Sequence, residues 1–288
     1  MLFSSHTLFL ADKYGLDTAV DMLIDAGYPA IDISMTKLNE PPFTDDYREV
    51  AARLLEKANK AGVKFIQAHA PFGGGYKRYT EELIPLLPRV FEFCGLLGIE
   101  YVVVHPIQNG RYYGREKELF DMNVEFYRSI APFAKQHGVK IAIENMWQWH
   151  PVAKYIVDDI CAPPEELAAI YDELNDPETF TVCLDIGHVA LCGREPEDAI
   201  RTIGSRIGCL HVHDVNYKED LHTLPGVAKI NWDRVCRALA EIDYRGSINL
   251  EADAFYYGFL PEQHTVVTKF MADSTRILAE KVDSYRAK

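Results

Sequence analysis

The chain has 288 residues, a formal net charge of −13 at pH 7 and 48% hydrophobic residues. This length suits one large α/β domain, and the acidic charge disfavours a nucleic-acid partner. No segment has the character of a membrane span or a secretory signal, and the six cysteines form no CxxC pair, so we expect a soluble cytoplasmic protein with reduced thiols.

Short apolar or β-branched runs alternate with longer amphipathic stretches along the whole chain. Eight runs predict strands: Leu2–Ser5, Ala30–Ser34, Lys64–His69, Tyr101–His105, Lys140–Glu144, Thr181–Asp185, Gly208–His213 and Ser247–Glu251. Helical periodicity predicts helices over Thr18–Ala26, Asp45–Ala61, Glu81–Leu97, Glu116–His137, Pro164–Leu174 and Pro261–Val282. Gly27, Gly62 and Gly138 follow helix ends, where glycine is favoured.

Eight strand–helix units without a break in composition predict a single-domain α/β fold, the (β/α)8 TIM barrel, over residues 1–288. An open doubly wound sheet is the alternative. It is disfavoured because no GxGxxG motif follows the first predicted strand.

Groups that can bind a metal stand at or near the ends of six predicted strands: His69, His105, Glu144, Asp185, His211 and Glu251. The carboxyl ends of barrel strands meet at one mouth, so we expect these side chains to converge. Each alone has a structural explanation, such as capping the next helix. Together they would repel one another and carry a large desolvation cost unless a cation organised them. The sequence therefore predicts a metal site.

Two local spacings support this interpretation. Asp185 and His188 are three residues apart at a strand end and its following turn, where both can face one centre. Strand alternation sends His211 and His213 to the same face. One of these two histidines is expected to bind the metal and the other to contact ligand or support the site.

At these positions the chain resembles the xylose isomerase-like barrel superfamily of sugar isomerases and epimerases, which also contains the endonuclease IV family. The resemblance runs in order over most of the chain, through the segments QAHAPF (67–72), VHP (104–106), IENM (143–146), LDIGH (184–188), HVHD (211–214), DLHTLPG (220–226) and INLE (248–251).

The resemblance implies a core metal site of Glu144, Asp185, His211 and Glu251. It implies that the two glutamates also exchange protons with the substrate as catalytic groups. His188 matches a residue that contacts a substrate oxygen. Four further positions match additional zinc ligands of the endonuclease IV branch: His69, His105, Asp220 and His222. Of these, Asp220 and His222 are the candidates for binding an additional metal.

The chemistry predicted for such a site is proton transfer beside a carbonyl group. A divalent cation stabilises an enediolate, one carboxylate removes the proton and a second acid returns it. Return at the opposite face gives epimerisation, and return at the adjacent carbon gives isomerisation. We expect one Mn, Zn, Co or Mg ion per chain, since an oxygen-rich set with one imidazole accepts each of these metals.

The substrate-binding residues expected beside the metal are His188, His69, His105, His213, Trp147 and His150. Trp147 or Trp149 is expected either to form a wall of the sugar site or to pack on the barrel rim. Ketohexose 3-epimerases of the superfamily carry glutamate at the His150 position and arginine at the Tyr217 position. These two differences disfavour a simple ketohexose 3-epimerase.

The expected partner is a small carbohydrate-like substrate, without nucleic acid or membrane, and homo-oligomer formation stays open. A metal-dependent dehydratase of an inosose or dehydroshikimate-like compound is an alternative, since the same machinery serves it. A zinc phosphodiesterase of the endonuclease IV type is a further alternative, which the acidic charge disfavours. The remaining alternative is a non-catalytic ligand-binding barrel or a subunit of a larger complex. The presence of both proton-transfer glutamates, Glu144 and Glu251, argues against it.

Overall fold

The computed structural model describes residues 1–287 and contains an eight-stranded parallel barrel with helices around it. In chain order the strands are β1 Leu2–His6, β2 Ala30–Ser34, β3 Lys64–His69, β4 Tyr101–Val104, β5 Lys140–Glu144, β6 Trp147–Trp149, β7 Ile156–Asp158, β8 Phe180–Asp185, β9 Ile207–His211 and β10 Ser247–Leu250. The β6 and β7 strands form a separate antiparallel hairpin. The other eight strands pair in parallel in the order β10-β1-β2-β3-β4-β5-β8-β9.

The helices lie between the barrel strands and follow them in the alternation that the sequence predicts. They are α1 Leu8–Tyr14, α2 Leu16–Ala26, α3 Tyr47–Ala61, α4 Gly75–Arg78, α5 Leu87–Leu97, α6 Glu116–His137, α7 Pro164–Leu174, α8 Ile186–Leu191, α9 Pro196–Ile203, α10 Trp232–Glu241 and α11 His264–Arg286. Within residues 1–287, each of them is too short or too polar to cross a membrane.

The barrel closes between β9 and β10 through the single residue Val212. Its N–H donates to the carbonyl of Asn249 over 2.9 Å, and its own carbonyl accepts from the N–H of Glu251 over 3.0 Å. Val212 and Leu250 form the corresponding parallel bridge. The predicted (β/α)8 fold is therefore confirmed.

Several predicted element ends are displaced. The barrel strands differ from their predicted bounds by at most two residues. The predicted helix over Glu81–Leu97 was wrong in its first part, because Pro85 and Pro88 lack the N–H that a continuous α-helix needs. A π turn over Tyr79–Leu83 and a 3-10 turn over Ile84–Leu86 precede α5 instead. The first helix, α1, was not predicted.

Alternation along the strands explains why polar residues gather at the mouth. Ala142, Cys183 and Cys209 pack with Val103 as one buried layer inside the barrel. Two residues further along β5, β8 and β9, the next inward positions are Glu144, Asp185 and His211. The small side chains of this layer thus form the floor of the barrel mouth, and the polar side chains lie directly above them. All six cysteines are free thiols, as expected.

Candidate active site

Four side chains meet at the floor of the mouth. Glu144 ends β5, Asp185 ends β8, His211 ends β9 and Glu251 directly follows β10. Each is buried, and each offers a donor atom that lies within 4.8 Å of the donors of the other three. The Nδ1 atom of His211 is 2.7 Å from Oε1 of Glu144 and 3.2 Å from Oε2 of Glu251. The structure thus brings together the four residues predicted to form the core metal site.

Histidines are the only ion-pair partners of the three carboxylates among residues 1–287. Burial alone would raise the pKa of Glu144, but His211 and His105 hold it well below its usual range. Burial likewise opposes ionisation of Asp185, and His188 and His213 lower its pKa. Burial favours the neutral form of His211, yet Glu251 and Glu144 raise its pKa well above the ordinary value.

This donor set fits a divalent cation. Three buried carboxylates cost several kcal/mol each to desolvate, and no lysine or arginine of residues 1–287 lies within ion-pair distance of them. A divalent ion bound here would supply positive charge to the three carboxylates. Three carboxylates with one imidazole suit Mn²⁺, Mg²⁺, Co²⁺ or Zn²⁺, because all accept oxygen ligands and tolerate a nitrogen.

A second donor group shares Glu144 with the first. His69 lies at the end of β3 and His105 directly follows β4. Their Nε2 atoms are 3.5 and 2.9 Å from Oε2 of Glu144 and 3.1 Å from each other. Burial lowers the pKa of His105, although the adjacent carboxylate of Glu144 opposes the effect. Imidazoles in this position can bind a metal or donate a hydrogen bond to substrate.

A third group lies on the other side of the floor and contains His188, His213, Asp220 and His222. The Nε2 atom of His213 is 3.1 Å from Oδ1 of Asp185, which links this group to the first. His222 forms an ion pair with Asp220 at 3.3 Å. Burial disfavours its charged form, but Asp220 and Glu251 raise the pKa of His222 well above its ordinary value. The predicted additional-metal candidates Asp220 and His222 are therefore adjacent.

A cavity of about 430 Å³ opens above the three groups. Its walls contain the catalytic candidates and most of the predicted substrate-binding residues, together with aromatic side chains: His69, Phe72, His105, Gln108, Glu144, Met146, Trp147, Gln148, Trp149, His188, Asp220, His222 and Glu251. A wall that combines polar groups with indole and phenyl rings suits a polyol, since sugars combine hydroxyl groups with apolar C–H faces.

Two predicted substrate-binding residues are not among those that line this cavity. His213 is fully buried beneath it, against Asp185. His150 lies beyond the hairpin strand β6, where its Nδ1 accepts a hydrogen bond from the N–H of Ala153 over 2.9 Å. His150 lines a neighbouring groove instead. The structure thus places these two residues away from the main cavity wall.

Sequence reasoning missed a histidine–aspartate pair beside the core group. His6 ends β1, and its Nδ1 is 3.4 Å from Oδ2 of Asp253 and 3.7 Å from Oε1 of Glu251. Burial opposes its charged form, but Asp253 and Asp32 raise the pKa of His6 to about 9. His6 thus links Asp253 to the carboxylate of Glu251.

Sequence reasoning also missed a series of buried side-chain hydrogen bonds inside the barrel. Ser4 donates to Oδ1 of Asn249 over 2.7 Å, and Nδ2 of Asn249 donates to Oδ2 of Asp32 over 2.7 Å. That aspartate oxygen lies 3.8 Å from Nε2 of His211. Asp32 therefore faces the ring nitrogen of His211 opposite the core donors, where a carboxylate orients a metal-binding imidazole.

The structure agrees with a match between residues 20–268 and a family model described as xylose isomerase-like TIM barrel. The chain belongs to this family. Among solved structures, a D-tagatose 3-epimerase-like protein superposes with a TM-score of 0.76 at 23% identity, covering 98% of this chain and 100% of that one.

Three curated relatives of this xylose isomerase-like barrel have different names. An inosose dehydratase of Geobacillus kaustophilus is 21% identical, over 85% of this chain and 82% of its own length. A D-psicose 3-epimerase of Ruminiclostridium cellulolyticum is 28% identical, over 46% of this chain and 41% of its own. A probable endonuclease 4 of Mesoplasma florum is 24% identical, over 66% of this chain and 67% of its own.

Proposed function

We propose that the protein is a metal-dependent isomerase or epimerase of a sugar or a related small polyol carbonyl compound. One observation carries the proposal: Glu144 and Glu251 stand on strands well apart around the barrel, yet both reach the same buried donor group and the same cavity wall. Two opposed carboxylates at a cation site suit the removal and return of a proton on different faces or carbons of one substrate.

In this mechanism Glu144, Asp185, His211 and Glu251 hold the cation. The bound cation supplies the positive charge that makes a hydrogen beside a carbonyl group more acidic. One glutamate accepts that proton and the other donates a proton to the opposite face or the adjacent carbon. His188 presents its ring to the cavity, where Nε2 contacts a substrate oxygen while Nδ1 stays within 2.9 Å of the carbonyl of Asn145. Trp147 and Phe72 exclude water from one side of the substrate.

The comparisons support sugar chemistry, since relatives include a D-psicose 3-epimerase and an inosose dehydratase. Dehydration of an inosose-like compound is the alternative within the same chemistry. It begins with the same proton removal, and a hydroxyl group then leaves from the adjacent carbon. The inosose dehydratase matches 85% of this chain and 82% of its own length, so product analysis must include an unsaturated or dehydrated product.

Phosphodiester hydrolysis is a second candidate function, favoured by the three adjoining donor groups and the endonuclease relative. The charge distribution favours the sugar reaction over it. Among residues 1–287, those that line the central cavity include three carboxylates but no lysine or arginine, and the whole chain carries a net charge of −13. A polyanionic backbone lacks counter-charges in such a cavity.

The test is hydrogen exchange with solvent. Wild-type protein loaded with Mn²⁺ is incubated in D₂O with ketoses, inososes and 2-keto acids, and deuterium on carbon is followed by NMR. We expect exchange at a carbon beside the carbonyl of at least one compound, lost after metal removal and restored by Mn²⁺. Hydrolysis of a phosphodiester without any carbon exchange would assign the second candidate function and refute the first.

A further inference from the structure

A second cavity of about 590 Å³ lies beside the central one, against the β6–β7 hairpin. Gln148 and Trp149 belong to the walls of both cavities, so the two are continuous through these residues. The remaining walls come from the loop before α6 and from the hairpin: Gly110, Arg111, Tyr113, His150, Pro151, Val152 and Val157. We call this second cavity the hairpin groove.

The hairpin groove differs from the central cavity in charge. Arg111 is the one charged side chain among its described wall residues. It makes no ion pair or side-chain hydrogen bond with the rest of residues 1–287, whereas Asp158 nearby is neutralised by two contacts with Arg194 at 2.6 and 2.9 Å. The carboxylate of Glu116 is near enough for Arg111 to help lower its pKa, but the two groups do not form an ion pair. An exposed guanidinium that is not engaged in an ion pair can bind an anion, because it can donate two parallel hydrogen bonds.

A second polar side chain in the wall of the hairpin groove, His150, also favours a hydrogen-bond acceptor on the ligand. Nδ1 of His150 accepts from the N–H of Ala153 over 2.9 Å, so Nε2 is the ring nitrogen that can donate to a ligand. His150 is therefore available as a donor beside Arg111. Half-exposed Trp149 offers an apolar face between the two cavities.

We propose that the hairpin groove is a substrate subsite for an anionic group, a carboxylate or a phosphate ester, at the far end of the polyol. This inference rests on the proposed function, since it assigns the reacting end of the substrate to the central cavity. Among its described wall residues, the central cavity offers such a group no lysine or arginine, and Glu144, Asp220 and Glu251 line it. Arg111 provides the counter-charge one cavity away, with Trp149 as the wall between.

The proposal accounts for His150 and for the second tryptophan. The sequence predicts a substrate contact for His150, but in the structure this residue lines the hairpin groove and not the central cavity. A substrate that extends past Trp149 would reach it. The substrate class is then an acidic or phosphorylated keto-polyol rather than a neutral monosaccharide.

Calorimetric titration of the Mn²⁺-loaded protein tests the subsite with three probes that differ at C6: D-fructose, D-fructuronate and D-fructose 6-phosphate. We expect the dissociation constant of at least one anionic probe to be about tenfold lower than that of D-fructose or more. Comparing the two anions distinguishes a carboxylate from a phosphate. Arg111→Gln should reduce this preference to about one, and Arg111→Lys should retain part of it.

Arg78→Gln is the matched control. Arg78 ends α4 and is not among the residues that line either cavity, and its replacement changes the net charge equally. Equal affinity for all three probes, or a preference that depends on Arg78 instead, would overturn the subsite. Arg111-dependent binding, without hydrogen exchange on these probes or on any ketose, inosose or 2-keto acid of the exchange test, would refute the proposed function alone. Exchange of D-fructose without an anion preference would refute the subsite alone.

Discussion

His213 and His222 stack face to face, with ring centroids 4.0 Å apart and planes within 6° of parallel. His213 follows β9 in the barrel wall and contacts Asp185, whereas His222 belongs to the long loop before α10 and pairs with Asp220. The stack therefore joins the loop to the core donor group through the contact of His213 with Asp185. Contacts that hold this loop in place therefore also position the third donor group.

Asp214 is the anchor of that loop, and its replacement should destabilise the fold. Its carboxylate accepts hydrogen bonds from five backbone N–H groups between Val215 and Ile230 and from the indole of Trp232. In Asp214→Asn one oxygen becomes an NH₂ group, which leaves about half of these buried donors unpaired. We expect a loss of about 3 kcal/mol or more in the free energy of unfolding, measured with urea. Exposed Asp45→Asn should change it by less than about 0.5 kcal/mol; equal effects of the two variants would contradict this role.

Replacement of either glutamate should remove catalysis without unfolding the protein. Glu144→Gln and Glu251→Gln keep the side-chain shape but cannot accept a proton, so we expect the exchange rate on the active substrate to fall by about 10²–10⁴-fold. Metal content and circular dichroism are recorded on the same samples, to separate proton transfer from metal loss and misfolding. Glu125→Gln on the exposed face of α6 is the control. A variant with its metal retained and its rate unchanged would exclude that glutamate from proton transfer.

Trp149 should contribute to substrate binding more than to turnover. Its indole is half exposed and forms part of both cavity walls. We expect Trp149→Ala to raise KM by about tenfold, because one stacked aromatic contact contributes about 1 kcal/mol or more. Phe270→Ala removes an equally exposed aromatic ring from α11 and should leave KM unchanged. If Trp149 only packs on the rim, stability will change and KM will not.

Asp159 should make the stability of the protein depend on pH. Burial raises its pKa to about 6, against the opposing hydrogen bonds from Ile160 and Gln108. Its folded pKa exceeds the unfolded value of 3.8, so its contribution to stability is present below about pH 4 and is lost as pH rises through 6. Relative to wild type, Asp159→Asn should therefore gain about 2–3 kcal/mol between pH 4 and pH 7, measured by urea unfolding. A constant difference across this range would show that the carboxyl does not titrate there.

The barrel and its core donors could be predicted from the sequence because both depend on local patterns. Glu144, Asp185 and His211 stand at or near the ends of predicted strands, and parallel barrel strands bring such ends to one mouth. The family resemblance then selected these three residues and Glu251 as the core donors. Asp32 carried a readable signal as well, since it is the charged residue between Ile31 and Ile33 in a buried strand.

Other parts of the site depend on contacts that no local pattern encodes. His6 was missed because β1 continues one residue past its apolar run. Its partner Asp253 lies beyond the last strand, so that pair exists only through barrel closure. The position of His150 follows from the pairing of β6 with β7, which turns the chain away from the central cavity.

The metal content of the purified protein tests the central claim most directly, by mass-spectrometric elemental analysis of wild type, Asp185→Ala and His222→Ala. We predict about one Mn, Co, Mg or Zn per chain in wild type, lost in Asp185→Ala and kept in His222→Ala, because one cation in the core donor group is sufficient for the proposed reaction. About three zinc ions per chain, reduced in both variants, would indicate phosphoester hydrolysis instead. A wild-type protein that binds no divalent metal under any loading condition would contradict the account.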